Sequence, residues 1–214
     1  MFLEDPMSNR NQRFIESANK IANCILVGLL WCLFSAGIIT IGAAAAAGMY
    51  SMKKVVRQNI GYPWHTFIDS FRKNFRPLLP FCATFLAITS INLFGLYIVF
   101  IASSNYFSVF YMFFLVIALY FLISAQIHCY ALQGLFVLNA RELRSVTIRM
   151  TFSYPLRNLI LVGLLVISAI ICRYIWPLIF FLPGTFLLAA SYLQEPMFHR
   201  FIRYTDPDDS DESE

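Results

Sequence analysis

Charged residues are scarce in this chain. Asp, Glu, Lys and Arg make up 13% of the 214 residues, whereas 59% are apolar and the mean hydropathy is +0.66. A soluble domain averages about 25% charged residues, so this chain has too few to cover a globule of its length. The shortage argues against a secreted mini-protein, a disordered regulator and an ordinary cytosolic enzyme. It predicts a polytopic membrane protein.

Sequence motifs of catalysis and of cofactor binding are also absent. The sequence contains no glycine-rich phosphate loop, no HExxH pair and no carboxylates paired at a useful spacing. Its five cysteines fall in apolar runs without a CxxC pair, so they predict neither a disulfide framework nor a zinc site. We therefore expect no enzyme activity, no cofactor and no metal.

Long apolar runs are what the chain does contain. Five of them lack internal charge and offer enough length to cross a bilayer, for which about 20 residues are needed. The alternation typical of barrel strands is missing, so each run must satisfy its own backbone hydrogen bonds as a helix. The predicted fold class is an all-α, polytopic transmembrane bundle of about five spans, within a range of four to six. The spans are predicted at about 21–50, 78–102, 107–138, 159–172 and 175–193.

The first run, 21–50, is too long for one upright span and too short for two. Gly37 and Gly42 predict a break within it. After the break, small residues recur four positions apart, as in Gly42 and Ala46, and such pairs let helix backbones approach closely. Two interpretations stay open: a broken, doubled-back segment and a continuous helix that tilts into the interface. The length of the run favours a retained helix over a cleaved signal peptide.

The distribution of cations predicts the orientation. Segments 51–77 and 139–158 hold ten of the 16 Lys and Arg residues, so the positive-inside rule places both segments, and the C-terminus, in the cytoplasm. Five spans would then put the N-terminus outside together with Arg10, Arg13 and Lys20. A doubled-back first run would remove that conflict, and the side of the N-terminus therefore stays open.

The chain divides into two predicted parts. Residues 1–204 form a single membrane domain, and residues 205–214 form a disordered acidic tail. Six of the twelve acids lie in the last nine residues, so the other 205 residues carry 16 cations against six acids. Charge is withheld from the spans and concentrated between them.

Both basic segments end in an amphipathic stretch that feeds the next span. Residues 70–79 align with residues 151–160, each with an aromatic anchor, an apolar residue one turn later and an arginine where the span begins. The candidate elbow and interface residues are Phe71, Phe75, Arg76, Phe152, Leu156 and Arg157. The pattern is typical of helices that lie among anionic lipid headgroups, and a duplicated unit that docks a cytoplasmic partner is the alternative. Anionic lipid explains the basic segments better than nucleic acid does, because they are short and interleaved with Phe.

One group of polar residues falls inside a predicted span. Gln126, His128 and Gln133 lie in the third run, with Gln126 and Gln133 on one helix face. Buried polar side chains in a span either join helices by hydrogen bonds or line a substrate path. Joining is the favoured interpretation, because no Asp, Glu, Lys or Arg accompanies them.

Four stretches resemble the YesL family, a group of small bacterial integral membrane proteins without an assigned function. They are Leu29–Ser35, Ile38–Ala44, Lys53–Arg57 and the elbow from Phe67 to Phe75. The likeness extends from about Arg13 to Arg203, and Gly37 stands where relatives typically have proline. Genes of the family often lie beside genes for carbohydrate ABC importers and glycan-degrading enzymes. The resemblance therefore implies a bacterial cell-membrane location and a role near sugar uptake.

The function expected from these features is that of a non-enzymatic accessory or interaction subunit. The small size, the absence of ionisable groups in the spans and the neighbourhood of the family motivate it. Its expected partners are the lipid bilayer and either a sugar ABC importer or a second copy of the chain. A small permease with a polar path along the third span is the alternative.

Overall fold

The computed structural model describes residues 6–101, 106–136, 138–175, 178 and 181–202, and these residues form an all-helical bundle. A short 3-10 turn covers Ile38–Thr40 and a π-helical turn covers Met52–Arg57. The described residues contain no strand, which confirms the predicted all-α class. The helices are α1 (Pro6–Phe34), α2 (Ile41–Ser51), α3 (Pro63–Ile101), α4 (Tyr106–Leu135), α5 (Ala140–Ser153), α6 (Pro155–Tyr174) and α7 (Leu182–Ile202).

Four stretches of described helix are long and apolar enough to cross a membrane. They are Phe14–Phe34, Pro63–Ile101, Ser108–Leu135 and Pro155–Tyr174. These four helices identify the chain as a membrane protein, at the lower end of the predicted range of spans.

The predicted fifth span, 175–193, corresponds to helix α7, which begins later, at Leu182. Gln194 and Glu195 lie within α7 and lower its apolar content. Its buried face, which includes Ala190 and Met197, packs against the rest of the bundle. Protein therefore replaces lipid along much of this helix, which is why its composition is less apolar.

The first apolar run is broken where Gly37 and Gly42 predict a break. Helix α1 ends at Phe34, and α2 begins only at Ile41 after the 3-10 turn. The hydroxyl of Thr40 donates to the carbonyls of Phe34 and Gly37 and closes this turn. The prediction of a broken first span is confirmed.

The second limb of this run packs against α1. A Cβ added to Gly48 in α2 would lie 3.6 Å from Cδ1 of Trp31, and the π-helical turn Met52–Arg57 also packs on α1. A helix that continued away from α1 could not make these contacts. These contacts exclude a continuous tilted helix over residues 21–50, and the side of the N-terminus stays a prediction.

Small residues set the distance between α2 and α4. A Cβ added to Gly134 of α4 would lie 2.3 Å from the carbonyl oxygen of Ala46, so only glycine allows this approach. Gly42, on the same helix as Ala46, faces Cys82 and Tyr130 at similarly short range. The predicted close packing through small residues of α2 is thus present.

The two aligned elbows differ in backbone structure. Helix α3 continues through Pro77 and Pro80, so the first elbow and its span form one 39-residue helix. The second elbow breaks at Tyr154, and Pro155 begins α6. Pro155 has no N–H for the carbonyl of Thr151, four residues earlier.

A side chain compensates for this loss. Nδ2 of Asn158 donates to the Thr151 carbonyl oxygen at 2.7 Å. The break between α5 and α6 therefore leaves no orphaned acceptor at Thr151, and Asn158 becomes part of the local backbone structure.

Candidate functional site

His128 lies at the centre of a buried polar network. Its side chain on α4 is fully buried, as are the side chains of Asn158 on α6 and Gln194 on α7. Asn158 also bonds to the backbone of Thr151 in α5. One imidazole therefore ties α4 to α6 and α7 directly, and to α5 through Asn158.

The hydrogen bonds of this network fit a neutral imidazole. Oδ1 of Asn158 can only accept, so Nε2 of His128 carries the proton and donates to it at 2.7 Å. Nδ1 of His128 then accepts from Nε2 of Gln194 at 3.4 Å. Both ring nitrogens have a partner, as a structural tie between helices requires.

The structure does not gather Gln126, His128 and Gln133 into one cluster. Nε2 of Gln126 donates to Oγ1 of Thr89 on α3 at 2.8 Å. Positions 126 and 128 point to opposite sides of α4, because successive residues of an α-helix are rotated by about 100°. Gln126 and Gln133 share a face, but each lines a different cavity.

Gln126 lines an apolar cavity of about 330 Å³. Trp31 from α1, Met49 from α2 and Phe186 from α7 contribute to its wall. The indole N–H of Trp31 is buried and has no hydrogen-bond partner among the described residues. The walls of this cavity are therefore mostly apolar.

Gln133 lines a polar cavity of about 510 Å³ at the end of the bundle that carries the basic segments. We call it the basic-end pocket. It lies between the end of α2, the start of α3 and the end of α4. Its polar lining includes Lys54, His65, Asp69, Lys73, Asn74 and Gln133.

An ion pair between Arg57 and Glu195 joins the π-helical turn to α7. The guanidinium of Arg57 also lies over the ring of Tyr192, 4.2 Å from its centroid. Sequence analysis missed this pair because the predicted fifth span stopped at residue 193. Glu195 is one of only six acids outside the acidic tail. An acid so rare in this chain was the one indication in the sequence of a specific partner.

The two elbows point their aromatic residues differently. Phe71 packs on Phe34, with ring centroids 4.9 Å apart, and Phe75 packs on Phe71. In the second elbow, Phe152 stacks on Phe121 yet remains 65% exposed, and Leu156 is 76% exposed. The first elbow is thus built into the bundle, whereas the second presents apolar surface.

The arginines of the elbows also differ. Arg76 is exposed, whereas the guanidinium of Arg157 lies 5.4 Å from the ring centroid of Tyr154. Neither observation identifies a bound partner, so the interface role of the elbows stays a prediction. Residues 205–214, the predicted acidic tail, lie outside the described residues.

Metal ligation finds no support in the part of the chain that the structure describes. No three His, Cys, Asp or Glu side chains come close enough there to hold a metal ion. Cys24, Cys82 and Cys129 are buried among apolar neighbours. Their burial is typical of small packing residues.

Comparison with known proteins gives one match. A family model described as a protein of unknown function, DUF624, matches residues 24–101, a little over a third of the chain. This region runs from α1 to the end of α3 and includes both Gly37 and the first elbow. No curated protein and no solved structure matches the chain.

Proposed function

We propose that this protein is a non-enzymatic accessory subunit that binds another membrane protein, or a second copy of itself, within the bilayer. The observation that carries the proposal is a pair of helix segments, Ala83 to Ile101 of α3 and Tyr106 to Ile117 of α4. We call this pair the α3–α4 arm. The two segments pack on each other, as a Cβ added to Gly95 would lie 3.4 Å from the Leu115 side chain.

The arm exposes large apolar side chains on both helices. On α3, Ile91 and Phe100 are 72% and 74% exposed, and on α4, Phe110 and Phe113 are 69% and 64% exposed. Contact of these apolar side chains with lipid tails carries no free-energy penalty, and neither does contact with a partner helix. Aromatic side chains are also enriched where proteins bind one another, which favours the arm as the docking surface.

The link to carbohydrate uptake rests on the resemblance to the YesL family. The stretch in which that resemblance is strongest, Leu29 to Pro77, lies inside the region that matches DUF624. We propose accordingly that the chain is a YesL-like protein of a bacterial cell membrane with a cytoplasmic C-terminus. The proposed partner is a sugar ABC importer, and a second copy of the chain is the alternative partner.

Affinity purification in mild detergent tests the accessory role. Wild type should retain a stoichiometric membrane partner, identified by mass spectrometry, or migrate as a homo-oligomer. A Phe110→Ala/Phe113→Ala variant should lose that association, because the arm loses contact area. Ile167→Ala/Ile170→Ala is the matched control, since these residues are also exposed but lie on α6. A wild-type protein that purifies alone as a monomer would contradict the proposal.

A small permease is the second candidate, and the two cavities along α4 favour it. Gln126 lines the apolar cavity and Gln133, two turns later, lines the basic-end pocket. A path would have to join these two cavities along the face of α4 that carries both glutamines. Uptake into proteoliposomes should then fall in Gln126→Ala and Gln133→Ala, and unchanged uptake in both would count against a path.

A further inference from the structure

The basic-end pocket has the chemistry of a binding site and no part in the proposed accessory role. Its volume, about 510 Å³, is within the range of small-molecule sites. It opens among the basic segments, where the predicted spans meet the membrane surface. Its lining divides into a neutral polar floor and a charged rim.

Neutral hydrogen-bonding groups form the floor. Thr66, Ser70 and Asn74 repeat every four residues on one face of α3, and all three are buried. Gln133 of α4 adds a second buried amide. Nδ2 of Asn74 donates to the carbonyl and hydroxyl oxygens of Ser70, so the floor is held in place by its own hydrogen bonds.

Four ionisable side chains form the rim. They are Lys54 in the π-helical turn after α2 and His65, Asp69 and Lys73 on the first turns of α3. Among the described residues, the Arg57–Glu195 pair is the only salt bridge, so neither rim lysine is neutralised by a carboxylate there. The rim thus holds two lysine ammonium groups and one carboxylate.

Backbone geometry also shapes the opening of the pocket. Gly61 lines it with a φ of +82°, in the left-handed region that glycine adopts without strain. Asn59 nearby has a φ of +56°, and Asn tolerates this region better than most residues. These two residues turn the chain between the π-helical turn and α3, so that Lys54 and Lys73 line the same pocket.

We propose that the basic-end pocket binds a phosphate ester that carries hydroxyl groups. Two ammonium groups suit a phosphate anion, since each supplies charge-assisted hydrogen bonds. Asp69 accepts hydrogen bonds from ligand hydroxyls, as do the amide oxygens of the floor. Because these acceptors bind hydroxyl groups, an ester that carries hydroxyls fits better than free phosphate.

Two sources supply this chemistry, and the experiment separates them. A phospholipid with a glycerol headgroup presents it from the bilayer, and glycerol 3-phosphate presents it from solution. Full-length protein in detergent is titrated with glycerol 3-phosphate by calorimetry. In parallel, native mass spectrometry counts retained phosphatidylglycerol against phosphatidylcholine. Binding of glycerol 3-phosphate alone identifies a soluble ligand. Selective retention of phosphatidylglycerol identifies a lipid.

Adjacent cations provide matched controls. Lys54→Gln and Lys73→Gln should each weaken binding by about tenfold or more, because each removes a charge-assisted bond. The controls are Lys53→Gln and Arg72→Gln, which remove a positive charge from the preceding residue, outside the pocket. These controls should change affinity by less than about twofold. Asp69→Asn should strengthen binding of inorganic phosphate relative to glycerol 3-phosphate.

Two results would overturn the proposal. One is equal weakening by the pocket variants and their neighbours, which would indicate general attraction to a basic surface. The other is a wild-type protein that neither binds glycerol 3-phosphate nor prefers phosphatidylglycerol. Thermal unfolding of each variant confirms that it folds, and the two rim lysines test the site independently. Neither result depends on whether the α3–α4 arm binds a partner.

Discussion

The two halves of helix α4 differ in composition and have opposite surroundings. In the first half, Val109, Phe110 and Phe113 are each at least 58% exposed. In the second half, His128 and Leu132 are at most 1% exposed. The exposed half consists of large apolar side chains, whereas the buried half includes small and polar ones.

This difference reflects the solvent. In water, apolar side chains would be driven inward, but lipid tails are as apolar as Leu and provide no such drive. Close packing then depends on small residues such as Gly134, and on hydrogen bonds such as those of His128. The buried half of α4 is therefore a structural joint, and the exposed half is free to face lipid or a partner.

The largest effect is expected from Gly134→Ala. The added Cβ would meet the Ala46 backbone at 2.3 Å, and overpacking of this kind costs about 3 kcal/mol. A thiol-reactive dye reports the unfolding temperature, because several native cysteines are buried. Gly163→Ala is the control, since nothing lies within 4 Å of its added Cβ. Equal unfolding temperatures for the two variants would refute the close-approach argument.

A smaller loss of stability is expected from Asn158→Leu. The change leaves Nε2 of His128 and the carbonyl of Thr151 without partners, at a cost of about 2 kcal/mol. Ser168→Ala, on the same helix, removes a hydroxyl that bonds only within α6 and should cost less than about 0.5 kcal/mol. The same dye assay compares them, and a reversed order would contradict the role of the network.

The Arg57–Glu195 pair should contribute less to stability than the Asn158 hydrogen bonds do. The side chains are 16% and 30% exposed, and pairs that retain solvent contact are worth about 1 kcal/mol or less. A double-mutant cycle with Arg57→Gln and Glu195→Gln measures the coupling, which should fall as salt is added. A coupling energy of zero at low salt would show that this pair does not stabilise the protein.

The smallest effect is expected in the exposed half of α4. Phe113→Ala should change stability in lipid nanodiscs by less than about 0.5 kcal/mol, because lipid replaces the lost contacts. Leu132→Ala removes a buried side chain and should cost about 2 kcal/mol or more. Similar losses at both positions would show that the arm is packed in the membrane.

Much of the fold could be predicted from local sequence. The apolar runs predict the helices because a backbone in lipid must bond to itself. Gly37 and Gly42 predict the break, and the small residues that follow predict close packing. These properties depend on neighbours in sequence, which is why single-sequence analysis reaches them.

The contacts of the candidate site could not be predicted in this way. Asn158 and Gln194 meet His128 from helices 30 and 66 residues away, and no local pattern encodes such distances. Helix α7 continues past residue 193, the end of the predicted fifth span, because burial against protein permits Gln194 and Glu195 in a helix that lipid alone would disfavour. The basic-end pocket was missed because its floor and rim come from three separate helices.

Accessibility of Ser124 tests the central claim most directly. Ser124 lies in the buried half of α4, one turn before His128, and is 1% exposed. Ser124→Cys is introduced into a chain whose native cysteines are replaced, and sealed vesicles of each orientation are treated with a small water-soluble thiol reagent. Tyr62→Cys, at a position 77% exposed, serves as the reactive control. The account predicts labelling at position 62 and none at position 124. Labelling of position 124 from either aqueous side would contradict a closed joint and favour a water-filled path.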